Sequence, residues 1–307
     1  MKQLLKVIIL ITIFVSQSYA KDNQNPITFE TTLYEQELRK LLSSLNQITG
    51  VPAFSVGVVH KGNLVASVST GYANVDKKIL ATDQSIFRLA SVSKIVGATM
   101  LAELVVKGQL DPDEPIGRFF PEVDKKYHKI TTRQLLSHSS GMPHYQLKDY
   151  DIYDKHYLSA IEALETLKGR SLLSRPGNEY LYSSHGYTLA GAIYEKISGQ
   201  PLTVSIPKFI KRWTNQQTPI IENIEELIPQ TSRLYAFSGS KISNEEFGEK
   251  SYSVFGAGLS ATASDLALFG YEVLNKSKSN LAYQQVLFSP SLNNDGQVIE
   301  NSRFQMG

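Results

Sequence analysis

The sequence predicts an α+β fold, an antiparallel sheet flanked by helices and joined to a mostly helical lobe. Three observations carry that prediction. Residues 52–60 alternate apolar and small side chains, and residues 64–72 return across the turn Lys61-Gly62-Asn63, the pattern of a β-hairpin. Apolar residues recur at helical spacing on both sides of that hairpin, over 29–48 and then over 95–106, 158–167, 186–197 and 262–274. The chain of 307 residues has no internal repeat and no low-complexity linker, and is long enough to bury a sizeable core.

The elements follow in order. Met1-Lys2-Gln3-Leu4-Leu5-Lys6 precedes an apolar run over 7–15, and Ser18-Tyr19-Ala20 supplies small residues at the positions a signal peptidase reads. Residues 1–20 therefore read as a signal peptide cleaved after Ala20, which sends the protein to the periplasm or outside the cell. The run is short for a bilayer span, and no later stretch is long and apolar enough for one. Without a cysteine there is no lipid-anchor site and no disulfide, so stability is expected to come from the core. Removing the leader takes away Lys2 and Lys6 and leaves 29 basic against 29 acidic residues, a balance that argues against a nucleic-acid partner or an electrostatic membrane grip.

Within the mature chain, 21–28 is polar, and the stripe Leu33, Leu38, Leu41, Leu42, Leu45, Ile48 marks a helix stopped by Gly50. His60, at the edge of the hairpin turn, reads as a surface residue. After the segment from Phe87 to Met100 comes a proline-broken loop over 110–121. Residues 130–138 predict a short helix with Thr131 as its N-cap, ended by Ser139-Ser140-Gly141-Met142-Pro143. Gly169 stops the 158–167 helix, Pro176-Gly177-Asn178 is a turn, and Gly199 caps the 186–197 helix. Residues 201–250 mix helix and loop signals, and 244–250 reads as a charged, exposed run. Gly256-x-Gly258 lacks the third glycine and preceding strand of a dinucleotide fingerprint.

The chain is organised around Phe87-Arg88-Leu89-Ala90-Ser91-Val92-Ser93-Lys94, a strand-like approach and a turn that open an apolar helix. Ser91 and Lys94 are three residues apart, so a helix puts the hydroxyl and the amine on one face, a plausible activated nucleophile. S-x-x-K also occurs at Ser205/Lys208 and Ser238/Lys241. Pro207 precedes the second lysine and suits a starting or broken helix, whereas Ser238-Gly239-Ser240 reads as a loop. Ser91 alone opens a buried helix, whose N–H groups and dipole favour developing negative charge. His138, His144 and His185 are scattered, with no i,i+4 pair, so neither a zinc site nor any other cofactor is expected.

Four segments in order resemble the serine β-lactamase-like hydrolases, the family of class C β-lactamases, penicillin-binding proteins and related esterases. They are 87–94, Ile130-Thr131-Thr132-Arg133-Gln134-Leu135-Leu136-Ser137-His138-Ser139-Ser140-Gly141-Met142-Pro143-His144, 176–187 and 256–268. The resemblance implies a β-lactamase/transpeptidase-like domain over 21–307, with an α/β part over 29–90, a helical lobe over 91–275 and an incomplete C-terminal part over 276–307. It makes Ser91 the acylated nucleophile, with its own N–H as half of an oxyanion hole, and Lys94 its neighbouring cation or base. Tyr182 becomes the tyrosine of the family's Y-x-N motif, which shuttles the serine proton. A free phenol titrates near ~10, so Tyr182 needs a cation such as Lys94 to serve near neutrality.

Two departures follow from the same comparison. Ser184 stands where that motif has asparagine; it is expected among the substrate-binding groups, with a hydroxyl in place of an amide. A Lys/His-Thr/Ser-Gly strand is expected after residue 275, and nothing over 275–307 supplies it, so the C-terminal sheet strands are expected to be missing and the chain to be weakly stable. The expected function is an exported serine hydrolase acting through a Ser91 acyl-enzyme on a β-lactam, a D-alanyl cell-wall peptide or a small ester. The alternative is an inactive or truncated relative serving as a periplasmic binding module.

Overall fold

The computed structural model describes residues 31–146, 155–225, 228–238, 241–246 and 248–299. The expected signal peptide and its cleavage site lie outside the described residues. Helix α1 (Thr31–Thr49) precedes strands β1 (Ala53–His60) and β2 (Asn63–Asn74), which pair antiparallel as expected. The hairpin does not stand alone, since β3 (Ile79–Leu80) extends it to an antiparallel sheet in the order β1-β2-β3. Strand β4 (Phe87–Arg88) leads through a 3-10 turn (Ala90–Val92) into α2 (Ser93–Val106). The lobe continues with α3 (Thr132–Leu136), α4 (Ser184–Ser198), α5 (Leu202–Thr214) and β5 (Ile220–Ile221). A second hairpin, β6 (Leu234–Ser238) with β7 (Lys241–Glu245), is followed by α6 (Val254–Ala257), β8 (Leu259–Ala261), α7 (Ala263–Ser279) and α8 (Leu281–Phe288). Beyond α8 the described residues make one isolated bridge, Leu292 to Val298.

Local chemistry explains the elements that frame the site. Thr131 and Gln134 form a reciprocal capping box at the start of α3, and Gly199 ends α4 in the left-handed conformation (φ 66°). Thr262 accepts the Asp265 N–H and starts α7. The start of α7 crosses β1 at Gly57, where any Cβ would lie 2.7 Å from the Ala263 carbonyl oxygen. Ser67 on β2 meets Ser264 on α7, hydroxyl to hydroxyl, at 2.7 Å. A small sheet, β4-β8-β5, lies directly before the Ser91 turn. Arg88 on β4 is ion-paired with Glu222, whose other oxygen accepts the Ser260 hydroxyl of β8 at 3.0 Å.

Several expectations are corrected. Pro207 lies inside α5 rather than at a break. It is exposed, while Ile206, Phe209 and Ile210 carry the buried face of the helix, so the backbone acceptor that proline leaves unpaired lies on the side open to solvent. The helix expected over 158–167 is a 3-10 helix confined to Glu162–Leu167. The run 244–250 is not wholly exposed: Glu249 is buried, bonded to His156 Nδ1 at 2.9 Å and to the Ser251 N–H at 2.6 Å. Ser238, read as part of a loop, ends strand β6 and pairs with Lys241 at the start of β7.

The main core lies between α2, α4, α5, α7 and α8, where Trp213 packs against Phe209 and Phe269 and meets Tyr283 edge-on. Glu103 of α2 is buried in it, and both its oxygens accept from Arg212 Nη2, at 2.7 and 2.8 Å, while Trp213 Nε1 donates at 2.8 Å. Burial pushes the Glu103 carboxyl up, but Lys107, Trp213 and Arg212 outweigh it and hold the group below the usual carboxylate range. Its contribution is therefore present above the ordinary carboxylate pKa and fades as pH falls through the depressed value. Glu103→Ala should lower stability by about 2–3 kcal/mol, since it strands the indole N–H while the half-exposed Arg212 keeps water. Urea unfolding at neutral and acid pH checks this, with a smaller loss expected in acid.

Candidate active site

Ser91 is exposed on the 3-10 turn, and Ala90 before it takes a left-handed φ of 46°. That turn is tied to β8 by Leu89 N–H to Leu259 O (2.9 Å) and by Leu259 N–H to Ser93 Oγ (3.1 Å). Lys94, the second residue of α2, is only 4 % exposed. Its ammonium donates to the Gly256 carbonyl at 2.7 Å, to Ser184 Oγ at 3.0 Å and, at 3.4 Å, to Ser91 Oγ. Three donors thus meet three oxygens, the condition under which a buried lysine keeps its charge. The Tyr182 and Tyr187 rings lie 4.8 and 5.3 Å from Nζ and add cation–π attraction.

Tyr182 Oη donates to Ser91 Oγ at 2.8 Å, so the structure brings Ser91, Lys94 and Tyr182 together. Burial pushes the Lys94 amine down against the opposing influence of Tyr182, and the amine ends below its usual range. Burial pushes the Tyr182 phenol up, but hydrogen bonding with Lys94 and Ser91, the charge of Lys94 and, least, the Ser184 hydroxyl leave it below its usual range. Each group is among the causes of the other's shift, so the protons belong to the pair rather than to either residue. Such a pair is able to take the serine proton without a third group.

Ser184, expected on the substrate side, is completely buried at the start of α4, with its hydroxyl turned to Lys94. Its place on the first turn of the helix aims it inward. The histidines that look scattered in the sequence converge here: the His138 and His144 rings lie 4.3 and 5.3 Å from that of Tyr182, and His185 is buried 5.9 Å from Tyr145. Ser91, Lys94 and Tyr182 open onto a cleft of about 270 Å³ whose other walls include Val92, Ile95, His138 and Tyr180. Among the described residues no group of three His, Cys, Asp or Glu side chains is placed to hold a metal ion. The Gly256 carbonyl and His138 escape sequence reasoning. Only the glycine-rich run at 256–258 and the position of His138 at the end of α3 hinted at them.

A family model described as Beta-lactamase matches residues 38–304. The chain belongs to the β-lactamase family. Among curated proteins it is similar to the human mitochondrial serine β-lactamase-like protein LACTB, at 27% identity over 83% of this chain and 58% of that protein. A Bacillus subtilis penicillin-binding protein is also 27% identical, over 86% of this chain and 61% of that protein. The chain thus spans about three-fifths of the length of these relatives. The fold matches solved structures of D-amino acid amidase from Ochrobactrum anthropi (TM-score 0.72, 24% identity, 83% of this chain and 75% of that one) and of a class C β-lactamase (TM-score 0.68, 18%, 86% and 71%). The β-lactamase/transpeptidase-like fold expected from the sequence is the one observed.

The position of the Gly256 carbonyl depends on close packing between α2 and α6. A Cβ on Gly97 would fall 2.4 Å from the Phe255 ring, next to that carbonyl. Gly97→Ala should therefore move Phe255, lengthen the Lys94–Gly256 contact and cost about 1–3 kcal/mol. Thermal melts check the stability, and a fall in reactivity of Ser91 toward an acylating probe checks the displacement.

Proposed function

We propose that this β-lactamase-family protein is a serine hydrolase that cleaves an amide or ester through an acyl-enzyme on Ser91, and that it is exported by the leader over residues 1–20. The observation that carries the reading is the triangle of Ser91 Oγ, Tyr182 Oη and Lys94 Nζ, with Tyr182 at 2.8 Å and Lys94 at 3.4 Å from the serine oxygen. Tyr182 in its phenolate form takes the Ser91 proton as Oγ attacks the substrate carbonyl, and Lys94 offsets the negative charge on the phenol. The Ser91 N–H, at the start of the helical segment, receives the developing oxyanion. The proton then passes to the leaving amine or alcohol, and water repeats the sequence on the acyl-enzyme. β-Lactams, D-alanyl peptides and small esters all present the carbonyl this requires.

Three measurements test the reading. A fluorophosphonate forms a bond between its phosphorus and Ser91 Oγ as fluoride leaves, so intact mass should show one adduct, absent in Ser91→Ala. An unlabelled folded protein would contradict the proposal. Tyr182→Phe should slow labelling by about 10²–10⁴-fold if the phenol is the proton acceptor. The reactive form has lost a proton from the Tyr182–Lys94 pair, so the labelling rate should rise with pH, with its midpoint below the ordinary phenol value of 10.0. A pH-independent rate would place the proton elsewhere.

A further inference from the structure

The segment from His138 to His144 holds the backbone of the stretch that carries Tyr182 and Ser184. The Leu181 N–H donates to the His138 carbonyl at 2.7 Å, and Ser183 Oγ donates to the Pro143 carbonyl at 2.7 Å. Between these, the Ser183 N–H donates to His138 Nδ1 and the Ser184 N–H to His144 Nδ1, each at 3.2 Å. The two rings lie against Tyr182, His138 at 4.3 Å with a 41° tilt and His144 edge-on at 5.3 Å. Ser183 and Ser184 are also the N-cap and first residue of α4, where backbone N–H groups have no partner within the helix.

We propose that His138 and His144 form an imidazole clamp that positions Tyr182, each ring in its Nε2–H tautomer with a bare Nδ1 held for a backbone N–H. An N–H can donate to Nδ1 only while that nitrogen keeps its lone pair, so both rings must be neutral and the proton of each must sit on Nε2. The surroundings favour that form. Besides each other, the charged and titratable groups among the described residues that face the two rings are Lys94, Tyr145, Tyr180, Tyr182 and Tyr187, none of them a carboxylate. Burial and the Lys94 charge push His138 down to about 3 and push His144 down as well. Both are positioning residues: they touch neither Ser91 nor Lys94 by any hydrogen bond, and act through the phenol they fix. The inference rests on the reading of Tyr182 as the proton acceptor.

The first arm of the test does not need activity. In ¹⁵N-histidine-labelled Ser91→Ala protein near neutral pH, NMR should show an unprotonated Nδ1 and a protonated Nε2 for both rings, assigned with His138→Asn and His144→Asn. A proton on either Nδ1 overturns the clamp. The second arm uses the fluorophosphonate rate on the full chain. Asparagine offers a carbonyl oxygen close to the position of Nδ1, and it tolerates the left-handed backbone at residue 138 (φ 58°). His144→Asn should label within about threefold of wild type, while His144→Leu should be slower by about tenfold or more at an unchanged melting temperature. Should the leucine variant not fold, His144→Gln, whose amide lies one methylene farther out, carries the same expectation. Equal rates in the folded leucine or glutamine variant and wild type overturn the proposal. If wild type itself is not labelled, the hydrolase reading fails and the tautomers alone decide the clamp.

Discussion

The buried ammonium of Lys94 is the constraint on which the rest of the site depends. Taking a lysine to 4 % exposure costs several kcal/mol unless each donor finds an oxygen. The oxygens come from three separate pieces of chain: Ser91 before α2, Ser184 at the start of α4 and Gly256 in α6. One charge therefore fixes the mutual position of three elements. The packing that allows it is close: Gly97 lets Phe255 lie against α2, and a Cβ on Gly256 would strike Ser253 Oγ at 2.0 Å. A site assembled on helix ends and held by backbone contacts is stiffer than one built on loops, as preorganised chemistry requires.

That arrangement also shows what local sequence carries and what it does not. The capping box of Thr131 and Gln134, the left-handed Gly199 and the Thr262 cap are short-range events whose residues sit within a turn of one another, so they could be read directly. The turn from Phe87 through Ser91 into an apolar helix was legible for the same reason. Pro207 was misleading because its cost depends on which face of the helix meets solvent, and only the burial of Ile206, Phe209 and Ile210 decides that. Helix α8 carries a weaker signal than its packing, which buries Leu287 in the main core.

Within the site, the residues that share a motif were visible, and those that meet across the chain were not. Lys94 reaches a backbone carbonyl at Gly256, an acceptor every residue possesses and no residue type announces. His138 and His144 stand 44 and 38 positions before Tyr182, a distance over which residue spacing says nothing, yet their rings line the same phenol. Ser184 was read from its motif position as a substrate contact; the direction of its side chain is set by the first turn of α4, which turns it inward.

Ser184 then bears on how the tyrosine and the lysine share charge. A hydroxyl has one proton and two lone pairs, so it can accept from Lys94 and donate to Tyr182 at the same time. An amide accepts through oxygen and donates through a nitrogen on the other side of its plane, and the two cannot coincide on one atom. The Ser184 oxygen lies 3.0 Å from Nζ, and its influence on Tyr182 is the smallest of those that hold the phenol below its usual range. The direct charge of Lys94 and the Ser91 hydroxyl contribute in the same direction. Burial pushes the phenol up, and it is chiefly the hydrogen bonding and charge of Lys94, with the Ser91 hydroxyl, that outweigh it.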